Sequence, residues 1–172
     1  MHTRHLTEYD IRKYEDDIAQ CYIDNLQIMD NQCVVDFTNR DEMYNYIFSL
    51  LECPESAVKG IFDDEEQYLF GLIIYDGIRL TDNGNAAQLH LATSKDLWGK
   101  DFHFVYEDEL KDTMFDTLYC MIPAYCRPVV SLVKKLGFKK TGYIPKALPY
   151  ISLKGEEKMY DELIYSWLKE KE

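Results

Sequence analysis

The chain has 172 residues, 47% of them hydrophobic, and its 31 acidic residues against 19 basic ones give a net charge of −12. This length and apolar content predict one ordered domain over residues 1–172, and they exclude a disordered or low-complexity chain. The acidic excess disfavours nucleic acid and anionic membranes as partners, and it makes a cationic partner easier to accommodate.

The cysteines and the first residues of the chain indicate the cellular compartment of the protein. The cysteines are odd in number and form no Cys-x-x-Cys pair: Cys21, Cys33, Cys53, Cys120 and Cys126. This pattern indicates free, mostly buried thiols in a reducing environment. The start, MHTRHLTEYD, has no apolar targeting core, and the longest apolar run, Tyr68–Tyr75, is too short to span a bilayer. We therefore expect a cytoplasmic protein that is not integral to a membrane.

The N-terminal part of the chain is predicted to form one strand and two helices. The strand is expected near Arg4–Leu6. Apolar residues then recur at spacings of three and four, which predicts amphipathic helices near Tyr14–Leu26 and Asp41–Leu51. Asn39 is the expected N-cap of the second helix.

A group of strands is predicted to follow the helices. Three β-rich runs indicate an antiparallel meander: Ala57–Phe62, Tyr68–Tyr75 and Ala87–Thr93. Turn residues separate the second run from the third, first at Asp76-Gly77 and then in the Asp-Asn-Gly-Asn segment 82–85. We expect the chain to reverse direction at these turns.

The C-terminal half contains the strongest local signals. A loop at Ser94–Asp101 and a helix at about Phe102–Met114 precede a strand, helix and strand within Phe115–Gly142. Gly137 is the expected left-handed cap of that helix. With a last strand around Lys158–Trp167, the predicted order of elements is β-α-α-β-β-β-α-β-α-β-β.

The segment 134–143, Lys-Lys-Leu-Gly-Phe-Lys-Lys-Thr-Gly-Tyr, resembles the Lys-Leu-Gly-Phe segment of GNAT-type acyl-CoA N-acyltransferases. The order of elements is also the one that the GNAT fold uses, and the resemblance is strongest over Leu89–Trp167. It implies an α+β fold in which about four helices flank a single mixed, mostly antiparallel and twisted sheet of six or seven strands.

The same resemblance implies a site for acetyl-CoA. The strand Ala87–Thr93 would expose backbone groups to the pantetheine arm of the cofactor, and the loop after it would bind the pyrophosphate. The residues that the resemblance places at the cofactor are Leu91, Ala92, Thr93, Trp98, Gly99, Lys100, Asp101, Cys126 and Val129.

The site departs from the usual pattern of the family. Only Gly99 of the family's Gln/Arg-x-x-Gly-x-Gly/Ala loop is retained, because Asp96 and Asp101 occupy the first and last of the motif positions. Two carboxylates there would repel a pyrophosphate unless they point away from it. A surface turn is the competing interpretation of this loop. Cys126 and Val129 stand where relatives carry Asn and Ser or Ala.

Candidates for proton transfer are few. His90, in the strand that would face the acyl carbon, titrates in the range that suits a general base. The competing interpretation is a partly buried histidine that is hydrogen-bonded within the sheet. Val133 falls where many relatives carry the tyrosine that protonates the leaving thiolate. Glu107 and Glu109 are expected on a solvated helix face.

Two functions from different classes follow. The first is transfer of an acetyl group from acetyl-CoA, without a metal, to an amine of a small molecule, peptide or protein. The second is a GNAT-fold protein that has lost transfer and acts by binding. The segment FDTLYCMIP is also similar to small GNAT-like proteins of tailed bacteriophages, so a virion-associated phage protein belongs to this alternative. The sequence leaves the oligomeric state open.

Overall fold

A computed structural model describes residues 1–25, 35–97, 103–151 and 157–169 of the chain. These residues form seven strands and five α-helices. The strands are β1 (His2–His5), β2 (Ala57–Phe62), β3 (Leu69–Thr81), β4 (Gly84–Thr93), β5 (Thr117–Pro123), β6 (Lys139–Ile151) and β7 (Glu157–Leu168). The helices are α1 (Glu8–Lys13), α2 (Glu15–Asn25), α3 (Arg40–Glu52), α4 (His103–Asp112) and α5 (Arg127–Lys135).

All seven strands belong to one sheet with the order β1-β2-β3-β4-β5-β7-β6. Every neighbouring pair is antiparallel except β4 and β5, which are parallel. The predicted mixed, mostly antiparallel sheet of the GNAT fold is confirmed.

The sheet separates two apolar clusters. Helices α1, α2 and α3 cover one face, where their buried residues pack against β2, β3 and β4. Helices α4 and α5 cover the other face. The central strand β3 contributes Leu72 and Ile74 to the first cluster and Ile73 and Tyr75 to the second. Burial on both faces explains why this part of the sequence is continuously apolar rather than alternating.

The first predicted helix, near Tyr14–Leu26, corresponds to α2, but a separate helix, α1, precedes it and was not predicted. Thr7 begins α1 with a capping box: its hydroxyl accepts a hydrogen bond from the backbone N–H of Asp10, whose side chain accepts one from the Thr7 N–H. Tyr14 then leaves helical geometry, with φ of −113° and ψ of 28°, and α2 starts at the next residue. Helix α1 was missed because the prediction was made from apolar spacing alone.

The predicted turn at Asp76-Gly77 is also wrong. Asp76 stays paired with Gln88, and the next two residues, Gly77 and Ile78, form a β-bulge, so the register with β4 shifts between Asp76 and Arg79. Gly77 takes a φ of +57°, which a residue without Cβ adopts at no steric cost. The strand therefore continues to Thr81, and the chain reverses only at 82–83.

The cap of α5 is as predicted. Gly137 has a φ of +85°, and its N–H donates to the Lys134 carbonyl at 3.1 Å. The Phe138 N–H donates to the Val133 carbonyl at 3.0 Å. These two bonds form a Schellman motif, which ends the helix and directs the chain into β6.

The thiols are free in the described part of the chain, as expected. Cys21, Cys120 and Cys126 are buried and Cys53 is half-buried, while Cys33 lies outside the described residues. Burial raises the pKa of Cys21 and of Cys120 to about 12, so neither is a thiolate at neutral pH.

No helix in the described ranges combines the length and the apolar content needed to cross a bilayer.

An ion cluster fastens β1 to α1. The Arg4 guanidinium donates to both carboxylate oxygens of Asp10, at 2.7 and 2.9 Å, and to Glu66 at 2.9 Å. Only 4% of the Asp10 side chain is exposed. The hydrogen bond from Arg4, with further bonds from Thr7, lowers the pKa of Asp10 to about 2 despite this burial.

We expect this cluster to make stability sensitive to acid. Because the pKa of Asp10 is lower in the folded than in the unfolded chain, its contribution is complete above about pH 4 and is lost as the pH falls towards 2. Asp10→Asn should cost about 2 kcal/mol of unfolding free energy at neutral pH, and this cost should shrink in acid. Urea unfolding across this range measures it. The exposed Asp82→Asn is the control, and an equal pH dependence for both variants would contradict the prediction.

Candidate active site

The central parallel pair of strands separates part way along the sheet. Strands β4 and β5 are paired through only three consecutive positions, the last of which joins Gln88 and Tyr119. Beyond it β4 runs on to Thr93 beside β3, and β5 runs on to Pro123 beside β7. A V-shaped gap therefore opens between the two strands, and both of its edges carry backbone groups that lack a partner strand there.

The two faces of β4 differ in the gap. Leu89 and Leu91 point towards α4 and α5, where they line a small apolar cavity together with Leu110 and Leu136. His90 and Ala92 point towards α1, α2 and α3, because side chains alternate along a strand. The gap thus has an apolar wall on one side of the sheet and an imidazole on the other.

His90 is half-buried at the opening of the gap. Its burial lowers the pKa of the imidazole, and the Asp76 carboxylate opposes this shift without cancelling it. The ring is therefore neutral at neutral pH and can accept a proton. It makes no hydrogen bond to the rest of the described chain, so the competing interpretation of a ring bonded within the sheet finds no partner there.

The end of β4 is held by the last turn of α2. The Asn25 amide donates to the carbonyls of Cys21 and Thr93, both at 2.6 Å. Asp24 accepts a hydrogen bond from the Lys95 backbone N–H at 2.7 Å and also lies 3.1 Å from the Lys95 ammonium. These buried bonds fix the backbone at the mouth of the gap. These contacts of Asn25 and Asp24 were not predicted, because no local pattern in the sequence links α2 to β4.

The residues predicted to bind the cofactor fall into three groups. Leu91, Ala92 and Thr93 lie on β4 along the gap, so the structure brings them together with His90. The predicted loop residues lie outside the described residues and stay predictions: Trp98, Gly99, Lys100 and Asp101.

The third group, Cys126 and Val129, lies at the start of α5, where Val129 is half-buried. Cys126 is the N-cap residue, but its side chain is only 3% exposed and packs in the apolar cluster beneath α4 and α5. Its side chain makes no capping hydrogen bond, and burial raises the pKa of the thiol. Val133 is also buried, at 2% exposure, and its side chain has no proton to give.

The predicted solvated position of Glu109 is wrong. Its side chain is 7% exposed and forms an ion pair with Lys59. Its carboxylate also accepts hydrogen bonds from the hydroxyls of Thr3, at 2.9 Å, and Tyr75, at 2.8 Å. Glu109 therefore ties α4 to the first three strands. Glu107 is 43% exposed, as expected.

The described chain also bears on metal binding and on cofactor fit. No three His, Cys, Asp or Glu side chains in it lie close enough together to hold a metal ion.

A pantetheine arm fits the gap between β4 and β5. Its amides can form hydrogen bonds to the unpaired edge of either strand, as an added strand would, and Leu89 and Leu91 offer apolar contact.

A mixed sheet that splays between its central parallel strands, with helices on both faces, defines the GNAT-type acetyltransferase fold. The chain is similar to the ribosomal-protein-S5-alanine acetyltransferase from Vibrio fischeri, with a TM-score of 0.74 and 14% identity over 96% of this chain and 91% of that one. The spermidine N-acetyltransferase from Vibrio cholerae, in complex with CoA and spermine, gives a TM-score of 0.71 and 16% identity over 96% and 94%.

An acetyltransferase of the GNAT family from Streptococcus pneumoniae gives a TM-score of 0.69 and 13% identity, covering 97% of this chain and 98% of that one. Identities at this level establish the fold alone. No protein-family model matches the chain, and no curated protein matches it in sequence.

Proposed function

We propose that this chain is a cytoplasmic N-acyltransferase that transfers an acetyl group from acetyl-CoA to an amine. The observation that carries the proposal is the gap between β4 and β5 with the half-buried, neutral His90 at its opening. Support comes from structural neighbours named as acetyltransferases of amines, one of them in complex with CoA and spermine.

The gap supplies binding and orientation. Acetyl-CoA, when bound, supplies an acetyl group that is activated as a thioester. The backbone edge of Leu91, Ala92 and Thr93 would hold the extended arm of the cofactor, and backbone N–H groups there would polarise the thioester carbonyl. The bonds from Asn25 and Asp24 keep this edge in place, so little ordering is needed when the cofactor binds.

His90 supplies the base. An amine that attacks a thioester must lose a proton as the amide bond forms, and a neutral imidazole at the opening of the gap can accept it directly or through a water. The position that holds a general acid in many relatives is the buried Val133, so the thiolate would leave without a proton from that position.

The acceptor is proposed as an amine on a small molecule, a peptide or a protein. The net charge of −12 favours an acceptor that arrives as a cation. The second candidate function, binding without transfer, is favoured by the burial of Cys126 and Val133, since these side chains give a cofactor no polar contact in α5.

The first test is thermal unfolding with acetyl-CoA and, separately, CoA at millimolar concentration. A ligand at about 100 times its Kd stabilises the folded state by roughly 2.7 kcal/mol, which raises Tm by about 5 to 10 °C for a chain of this size. Gly99→Trp, in the predicted pyrophosphate loop, should abolish the rise. Asp82→Trp, in the distant β3–β4 turn, should retain it.

A rise in Tm would be followed by measuring thiol release from acetyl-CoA in the presence of polyamines, amino acids and N-terminal peptides. Thiol release that depends on an amine supports transfer. A rise in Tm without release from any acceptor favours binding without transfer. The absence of a rise with either ligand would overturn the proposed use of acetyl-CoA.

A further inference from the structure

Asp76 is the acidic neighbour of His90 at the opening of the gap. Asp76 lies opposite Gln88 and His90 lies opposite Ile74, so the two side chains are diagonal neighbours on one face of the β3–β4 pair. The Cα atoms of such neighbours are about 7–8 Å apart, and their side chains can approach more closely. Gln88 also belongs to the last paired position between β4 and β5, which places this carboxylate where the two strands separate.

The carboxylate of Asp76 is fixed by the bulge in β3. Its Oδ1 accepts a hydrogen bond from the Gly77 backbone N–H at 2.8 Å and another from the Ser56 hydroxyl at 2.9 Å. The described chain donates no hydrogen bond to Oδ2 and places no cation within ion-pair distance of Asp76. Neutral donors thus hold the negative charge in position, and no cation of the described chain forms an ion pair with it. Arg79, the next residue of β3 on this face beyond the bulge, lies opposite Ala86 and is exposed to solvent, which screens its charge.

We propose that Asp76 is a positioning residue for His90: the bulge and the Ser56 hydroxyl hold its carboxylate beside the imidazole, where the negative charge favours the imidazolium that forms when His90 accepts a proton. This proposal rests on the proposed role of His90 as the base.

The other groups that face this part of the sheet do not supply the same charge. The corresponding positions of β4 and β5, and those just before and on β2, carry no carboxylate or basic group: Ser56, Val58, Gln88, Ala92, Tyr119 and Met121. On α2, Asp17 accepts from the Leu69 N–H and Asp24 is paired with Lys95. Glu52, at the end of α3, is exposed to solvent, which screens its charge.

Burial and the Asp76 carboxylate have opposite effects on the pKa of His90, and these effects agree with the geometry. Burial alone would lower the pKa of the imidazole further than is the case, and Asp76 is the group whose charge raises it again. A base in this position must be neutral before the reaction and yet accept a proton during it. Burial serves the first requirement, and the Asp76 carboxylate serves the second.

The test is the NMR titration of the His90 ring in the full chain, in Asp76→Asn and in Asp82→Asn. The His90 signal is assigned by its loss in His90→Gln. We expect Asp76→Asn to weaken proton binding by the imidazole by about threefold to tenfold, which moves the titration midpoint to lower pH. Asp82→Asn removes the same charge from the distant turn and should leave the midpoint unchanged.

Equal midpoints in all three proteins would overturn the proposal, whether or not acetyl transfer is found. If Asp76→Asn does not fold, Ser56→Ala tests the same point, because it releases the carboxylate and should move the midpoint in the same direction by less.

In a chain shown to be active, the fall of kcat on the acid side of its pH profile should move with the midpoint of the His90 titration. A fall that stays in place while the midpoint moves would overturn the role of Asp76 in transfer. The titration needs no cofactor, so a missing response to acetyl-CoA would count against the proposed function alone.

Discussion

The variant His90→Gln is expected to lower kcat for acetyl transfer by roughly 10²- to 10⁴-fold. Glutamine keeps a polar side chain of similar length at this half-buried position, but it cannot accept a proton at neutral pH. The reaction would then depend on loss of the proton to bulk water. Steady-state measurement of kcat and KM with the best acceptor tests this, and KM for acetyl-CoA should change little, because the loss is in proton transfer.

The pH profile adds a second expectation for His90. Since burial lowers the pKa of its imidazole, activity should persist below the pH at which an ordinary histidine becomes protonated, and it should fall as the pH passes through the lowered pKa. His90→Gln should lack this acid limb. His5→Gln, on the exposed edge of the distant strand β1, is the matched control. A control that loses as much activity as His90→Gln would remove His90 as the base.

The variant Lys59→Met is expected to destabilise the fold by about 3 kcal/mol, the lower end of the range for breaking a buried ion pair, since a quarter of Lys59 is exposed. The change leaves the Glu109 carboxylate, only 7% exposed, with hydrogen bonds from Thr3 and Tyr75 but without a positive charge. The free energy of unfolding in urea measures the loss.

The double variant Lys59→Met/Glu109→Leu separates the lost ion pair from lost packing. Removing both charges should recover most of the stability, because no buried charge is then left uncompensated. Lys111→Met is the control, since its pair with Asp108 is exposed on both sides and should contribute little to stability. A double variant no more stable than Lys59→Met would show that burial of Glu109 is not the source of the effect.

Elements defined by local signals were predicted closely. The N-cap at Asn39, the strand Ala57–Phe62 and the cap at Gly137 all have the structure expected of them. Each depends on residues within one turn of a helix or within one strand. A local signal was also present at Thr7, whose capping box with Asp10 marks the start of α1, but the analysis of apolar spacing did not use it.

The errors occur where distant parts of the chain decide the outcome. Glu109 is buried because Lys59 and Tyr75, on strands about 50 and 34 positions away, offer it a charge and a hydroxyl. Asp76-Gly77 resembles a turn in sequence, yet the strand continues through a bulge at Gly77 and Ile78 because β4 pairs with β3 on both sides of it. The residues next to Glu109 and to Gly77 in the sequence do not predict these contacts.

For this chain, short-range signals in the sequence determined most of the strands and helices, because helix caps, apolar spacing and turn residues act over a few positions. The resemblance of residues 134–143 to the GNAT family implied the fold and placed His90 as the candidate base. The tertiary structure decided which edge of β4 stays unpaired, that Asn25 clamps its end, and that Asp76 faces His90. These features depend on strand register and on burial, which arise only when segments far apart in the chain pack together.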